Sequence, residues 1–416
     1  MLAASAGHEY PQRVVSRLVG LAGEGAHFCR IRLWRRKSQA VVAGLAGTSE
    51  PYLSLLETGK RALNRWSLIV ALANALEVAP SELVGLPEPA PGDETADVAV
   101  TAVRRALQAV DRGAPNGQVQ PADQLTTRVH AVLDAKQRCL HAEVGMVLPD
   151  LIRDLHTSIQ AGRDDAKLLR LAVALHPQGT QAFLHGVGAP EDLCWSAVRL
   201  ARDAAERLGE PVSLGIAAFG VANGLLSWGD FAQAGEALHR VDLRPADDMP
   251  LVGMLTLSES LLAAAEERTG DVEAALDQAA ELAEHTGEGN AHYMSFGPTN
   301  VTSWQLSVAL EAGDYERAVQ LAESLSPERI VAPTRRANHW VNYGRGLSQV
   351  RGRRDDAVRA LRAAERISAD KVHRNPFARD VLEELVDRSR DDAVGRELRG
   401  MAWRAGLPGV ARVGHT

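Results

Sequence analysis

Four glycines at near-regular intervals constrain this chain more than any other feature: Gly229, Gly270, Gly313 and Gly352, spaced by 41, 43 and 39 residues. They sit in four similar stretches, WGDFAQAGEAL (228–238), TGDVEAALDQA (269–279), AGDYERAVQLA (312–322) and RGRRDDAVRAL (351–361). Five residues beyond each glycine stands an alanine (Ala234, Ala275, Ala318, Ala357), and nine beyond it a small or apolar residue (Leu238, Ala279, Ala322, Leu361). Glycine permits the left-handed conformation that ends one helix, and a following aspartate can cap the next. Alanine on the facing stripe lets two antiparallel helices approach closely, and the residue four later continues that stripe. One such hairpin cannot bury its own apolar face, so the units must stack into a solenoid with a concave surface.

Over roughly residues 190–370 this pattern resembles the tetratricopeptide superfamily, with periods longer than its roughly 34 residues. Residues 125–190 read as helical too. No alternation of apolar and polar residues persists over six positions anywhere, so the predicted class is all-α. At 416 residues the chain is long enough for two to three domains. The stretch GLPEPAPGDETAD (85–97) reads as a stiff linker, and DRGAPNGQVQPADQ (111–124) as a second hinge. The expected organisation is an N-terminal helical extension (1–26), a small basic domain (27–86), a linker and connecting helix (87–124) and a helical-repeat domain (125–410).

Charge separates the same parts. Residues 12–86 hold ten Lys/Arg against five Asp/Glu, which leaves the remainder of a chain of net charge −7 at about −12. The basic part is expected to meet an anion and the acidic part is not. Three dispersed cysteines (Cys29, Cys139, Cys194) form neither a disulfide framework nor a zinc site. The start MLAASAGHEYPQRVV lacks the cationic and apolar segments of a signal peptide, and no run approaches the length of a membrane span. The expected location is the cytoplasm, without membrane association.

Within the basic part, RIRLWRRKSQAVVAGLAGTSEPYLSLLETGKRALNRWSLIVALANALEVAPSELVG (30–85) carries a dense set of helix signals. Ser38 caps a helix opening at Gln39 with Val42 and Leu45 inward, and Gly47 permits a tight turn. Ser49 caps the next helix, with Pro51 in its first turn, where a missing N–H costs nothing. Leu53 and Leu56 face the core. Asn64 is the expected cap of a further helix bearing Leu68, Leu72 and Leu76, and APSELVGL adds a last short one.

Residues 27–86 resemble the lambda-repressor-like, or Xre, helix-turn-helix family through SQ at the second helix, LAG before the turn, YLSLLETGKR at the third helix and ALANALEVAPSEL at the close. The connection WRRKSQ is about three residues shorter than the usual form of that motif. In that family the third helix enters the major groove while the second crosses the backbone. The resemblance implies phosphate contacts from Gln39, Lys60, Arg61 and Arg65, and base-edge positions at Ser49, Glu50, Pro51, Ser54 and Leu55, with Tyr52 in the same DNA-binding set. Glu50 can accept from cytosine and Leu55 can touch a thymine methyl, but none of these donates a bidentate bond to a purine, so shape contributes to the reading. Glu57 is expected to pair with Arg35 or Arg36.

No phosphate loop, nucleophile elbow or helical histidine pair occurs in the chain, so no enzyme, metal or cofactor is expected. His339 beside Trp340 and Cys194 beside Trp195 read as packed helix residues. Asparagines recur on the helices that open successive hairpins: Asn223, Asn300, Asn338 and Asn342. An Asn amide donates and accepts at once and so can hold an extended peptide backbone; the alternative is that these residues cap or stitch helices. The joined architecture resembles bacterial quorum receptors that sense peptides. The expected function is a sequence-specific, dimeric regulator binding a double-stranded DNA operator, with a body that dimerises and senses a signalling peptide or small polar ligand. The body's acidity favours a neutral or basic ligand unless a local pocket overrides it. The competing reading is a repeat scaffold for protein partners whose head no longer grips DNA.

Overall fold

The computed structural model describes residues 24–84, 94–162 and 164–407, and every regular element in them is helical. The expected N-terminal extension lies outside these residues up to position 23, and the expected linker lies outside them over 85–93.

The head is built from α1 (Glu24–Trp34), α2 (Gln39–Leu45), α3 (Glu50–Glu57), α4 (Trp66–Leu76) and α5 (Pro80–Val84). Local chemistry sets its boundaries. Ser38 accepts from the Val41 amide and Ser49 from the Tyr52 amide, each satisfying one of the orphan donors of a helix start. Gly47, at φ +66°, makes the turn between α2 and α3. The short connection after α1 closes because Arg36 takes a left-handed conformation (φ 55°) and Lys37 then bonds the Ala75 carbonyl at 2.6 Å. Phe28, Val42, Leu53, Leu56, Leu72 and Leu76 fill the core between these helices.

The body begins with α6 (Glu94–Asp111), α7 (Ala122–Gln137), α8 (His141–Gln160) and α9 (Asp165–Leu175). The helix expected as a connector, α6, packs on α8 and buries Val103, Ala106 and Leu107 in the body core. A π-helical turn (His176–Gln181), α10 (Ala182–Gly186) and α11 (Glu191–Leu208) lead into the hairpins. These are α12 (Pro211–Trp228) with α13 (Phe231–His239), α14 (Pro245–Ala265) with α15 (Thr269–Thr286), α16 (Pro298–Ala312) with α17 (Tyr315–Ser324), and α18 (Pro333–Gln349) with α19 (Arg354–Ile367). Three short helices complete the described residues: α20 (Asp370–His373), α21 (Pro376–Asp387) and α22 (Ala393–Arg404).

Three of the four repeat units turn as the spacing predicts. Gly229, Gly313 and Gly352 are left-handed, and Ala234, Ala318 and Ala357 are wholly buried between paired helices. Asp230 and Asp314 cap the second helices by accepting from Gln233 and Arg317 amides. The second unit departs from the pattern. There Gly270 lies inside α15, Glu267 takes the left-handed conformation, and the Asp271 side chain pairs with Arg268 instead of capping. Its closing stripe shifts by one turn, so Ala279 and Ala283 are buried while Ala275 is only half-buried.

The far end of the solenoid returns to its start. Helix α18 packs on α7, the Gln137 amide bonds both Asn290 and the Tyr293 carbonyl, His141 meets Asp370 at 2.5 Å, and Arg374 donates to the Val187 carbonyl at 2.9 Å. One helix, α12, has the length and apolarity of a membrane span, and 67% of that window is buried inside the protein, as in a core helix.

The shifted stripe yields a test of the packing. Ala318→Leu is expected to overpack the third hairpin and cost about 1–3 kcal/mol, read as a lower urea midpoint at unchanged slope. Ala275→Leu, at a half-buried site, is expected to cost clearly less. Equal losses would place Ala275 in the closing stripe.

Candidate nucleic-acid interface and the seam behind it

Helix α3 is held by a buried charge cluster under it. Arg32 and Glu57 are both almost inaccessible and form a two-pronged ion pair, and Gln39 donates to the same carboxylate at 2.7 Å. This joins α1, α2 and α3 at one point. The expected partner for Glu57 was Arg35 or Arg36; the correct one is Arg32. Arg32 still lies within α1 with its side chain toward the core, whereas Arg35 follows the helix end and donates to the Glu77 carbonyl at 2.5 Å. A buried carboxylate needs a buried partner, and only Arg32 is one.

Above this cluster α3 presents Ser49, Glu50, Pro51 and Leu55 to solvent, with Ser54 half-exposed, while Leu53 and Leu56 point into the head. Tyr52 is half-buried in the head core, and burial raises the pKa of its hydroxyl. Gln39, bonded to Glu57, is half-buried as well. Of the two residues expected inward on α2, Val42 is buried but Leu45 near the helix end is exposed, and with Val41 it gives solvent an apolar face that carries no phosphate donor.

Directly after α3 the chain enters a seam with the body, and each residue from Lys60 to Ser67 takes part in it. The Lys60 carbonyl accepts from Arg388, and Arg61 donates to Gln349 at 2.7 Å. The Ala62 amide donates to Glu384 at 3.1 Å and the Leu63 amide to Asp380. Asn64 accepts from the Arg345 guanidinium through both its side chain and its carbonyl, at 2.8 and 2.9 Å. Arg65 donates to the Glu311 carbonyl at 2.7 Å, and the Trp66 indole to the Leu226 carbonyl at 2.6 Å. The amides of Trp66 and Ser67 donate to the two carboxylate oxygens of Glu311, at 2.9 and 2.7 Å. Arg345 also lies 4.1 Å above the Phe377 ring, which meets the Trp66 indole edge-on.

Asn64 is therefore not the cap of α4. Arg345 claims its side chain, Arg65 takes the cap position without a side-chain bond, and the body's Glu311 supplies the missing carboxylate. The electrostatics suit both partners. Glu311 stands in the last turn of α16, where the helix dipole disfavours an anion, and the positive N-terminus of α4 compensates it. Asp380 is buried beside Glu383, and desolvation pushes its carboxyl well above the usual range, although the Leu63 amide favours its charged form.

Arg61 and Arg65, expected on phosphates, are thus bonded to the body; Lys60 and Arg61 are exposed and Arg65 is half-buried. The four asparagines are used within the solenoid to differing degrees. Asn223 donates to the Phe219 carbonyl one turn back, Asn300 is buried against the Met254 sulfur, and Asn342 bridges Ser307 and Arg345. Asn338 is half-buried on α18. The residues that dominate the seam (Glu311, Arg345, Asp380 and Glu384) left no mark in the sequence, because their partners lie in the head hundreds of positions away. Among the described residues, no group of three or more His, Cys, Asp or Glu side chains is placed to hold a metal ion.

The sequence matches the helix-turn-helix domain over residues 25–84, the span of α1 to α5. No curated protein and no solved structure matches the chain.

Glu311→Ala is expected to leave the Trp66 and Ser67 amides without acceptors and to cost about 1–3 kcal/mol. Hydrogen exchange at those two amides should accelerate selectively, with α12–α13 protection unchanged. Unaltered exchange at both would mean that the seam does not hold in solution.

Proposed function

We propose that the protein is a sequence-specific DNA-binding transcriptional regulator acting in the cytoplasm as a dimer, with α3 as the groove-reading helix and binding, not catalysis, as its activity. The observation that carries this reading is the outward face of α3 in a helix-turn-helix domain. Its anchors Leu53 and Leu56 are buried, Glu57 fixes its base, and Ser49, Glu50, Pro51 and Leu55 are left to solvent. A single head of this kind covers a half-site, which is the reason for two copies.

The seam adds a regulatory element to the proposal. Docked on the body, Arg61 and Arg65 each already donate to a group of the repeats, so body and DNA compete for the same two guanidinium groups. Release of the head is then favourable to DNA binding, and the body's role is to set how often it is released. The scaffold reading differs in one measurable respect, since a head that does not grip DNA shows no counterion release.

On this proposal, the affinity of the full chain for its operator falls with salt at a slope of roughly −0.9 per neutralised phosphate. Lys60→Ala with Arg61→Ala is expected to flatten that slope and weaken all sites alike, whereas Glu50→Ala is expected to change preference among sites. Glu384→Gln, which weakens the dock without touching α3, should tighten DNA binding. A salt slope near zero in the wild type would favour the scaffold.

A further inference from the structure

A cavity of about 1240 Å³ lies between the head and the inner helices of the solenoid, large enough for a small organic molecule. Its wall carries both signs of charge, so its chemistry is decided corner by corner. Asp192 pairs with Arg104 at 3.4 Å, Glu311 holds two amides of the head, and Asp370 takes His141 and Arg374. On the basic side, Arg345 grips Asn64, and the charge of Asp370 acts on Lys371.

Glu191 differs from these. Among the described residues that line the cavity, it alone has a buried polar side-chain atom, Oε2, without a hydrogen-bond partner. Ser227 lies beside this carboxyl, but its single hydroxyl proton goes to the Gly224 carbonyl at 2.8 Å. No basic side chain acts on the carboxyl, and burial pushes it up to about 7. Against that burial works the N-terminal dipole of α11, which Glu191 opens.

Aromatic rings gather at the same corner. Trp228 follows Ser227 at the end of α12, and with Phe231 and Trp66 it lines the cavity. Trp195, one turn beyond Glu191 on α11, backs the Trp228 ring with centroids 4.9 Å apart. The Trp66 indole is tied to the Leu226 carbonyl, one residue before Ser227. A carboxylate buried without a counter-ion is costly, and the faces of aromatic rings attract cations. One group answers both demands, an ammonium.

We propose that this corner binds a small organic ammonium, an amine or quaternary ammonium on an apolar body, with Glu191 as its counter-ion and Trp228, Phe231 and Trp66 beside it. Because Trp66 belongs to the docked segment, an occupant touches the seam and biases release of the head. That step rests on the function proposed above; the binding site does not.

The test uses the full chain without DNA and three probes that share one apolar body: 4-phenylbutylamine, a cation; 4-phenylbutanol, which is neutral; and 4-phenylbutyrate, an anion. Calorimetry at about pH 8, above the Glu191 pKa of about 7, is expected to show the amine bound at one site per chain. Its affinity should exceed that of the alcohol and of the acid about tenfold or more. Glu191→Gln, which keeps the size and removes the charge, is expected to bring the amine down to the alcohol's affinity while leaving the alcohol unchanged. Asp192→Asn, next along the chain but at a residue paired with Arg104, controls for the general acidity of the body and is expected to leave the amine unchanged. The site is overturned by undetectable amine binding, by an acid bound as tightly as the amine, or by equal amine affinity in the wild type and Glu191→Gln. An equal loss in Asp192→Asn, or a parallel loss of the alcohol in Glu191→Gln, overturns Glu191 as the counter-ion. Operator affinity is then measured with and without the amine. An unchanged value overturns the coupling alone, and absent DNA binding with intact amine binding overturns the proposed function alone.

Discussion

The arrangement of the molecule depends on one carboxylate. Glu311 closes the end of α16 and, across the seam, begins α4: its two oxygens accept the Trp66 and Ser67 amides of the head. Two helix ends that are each electrostatically incomplete thus complete each other. Around that point the bonds from residues 60–67 to Arg388, Gln349, Glu384, Asp380, Arg345 and Leu226 accumulate, and three of these partners, Glu384, Asp380 and Arg345, are charged groups buried on the body side. Charge-assisted bonds in such surroundings are worth more than neutral ones, and their loss leaves buried charge unpaired. The head is therefore docked on the body in a defined register.

That register has consequences for the concave surface. A solenoid of helical hairpins usually presents its inner helices to a partner. Here the inner helices α12, α16 and α18 meet the head itself, and the closure of α18 onto α7 completes the wall around what remains. The surface expected to hold an extended peptide is thus divided between an intramolecular partner and a cavity. The asparagines follow the same division, since Asn342 helps to position Arg345, whose guanidinium grips Asn64 of the head.

Docking also separates two parts of the head that a helix-turn-helix domain normally uses together. The face of α3 points outward, while two of the three cations after it point to the body. On the proposed function this gives the protein a built-in competitor for DNA whose strength is set by acids and carbonyls of the repeats. A modest difference in ligand affinity between docked and released forms is enough to shift such a balance, because coupling of about 1–3 kcal/mol is typical of switches.

What the sequence by itself determined is what depends on neighbours along the chain. Ser38 and Ser49 cap α2 and α3, and Gly47, Gly229, Gly313 and Gly352 turn where a left-handed residue is needed. The buried Ala234, Ala318 and Ala357 follow from helical spacing alone. Each of these is decided within a few residues, so periodicity and capping chemistry suffice. Only the tertiary structure decided that Arg32 and not Arg35 holds Glu57, that the second repeat shifts its stripe to Ala279 and Ala283, and that Glu311 caps a helix starting 245 positions earlier. It also decided that the body sets the buried carboxylates of Glu311, Asp380 and Glu384 against backbone amides of the head. Net charge is a sum over the surface, whereas a site depends on which few side chains the closure of the solenoid brings face to face.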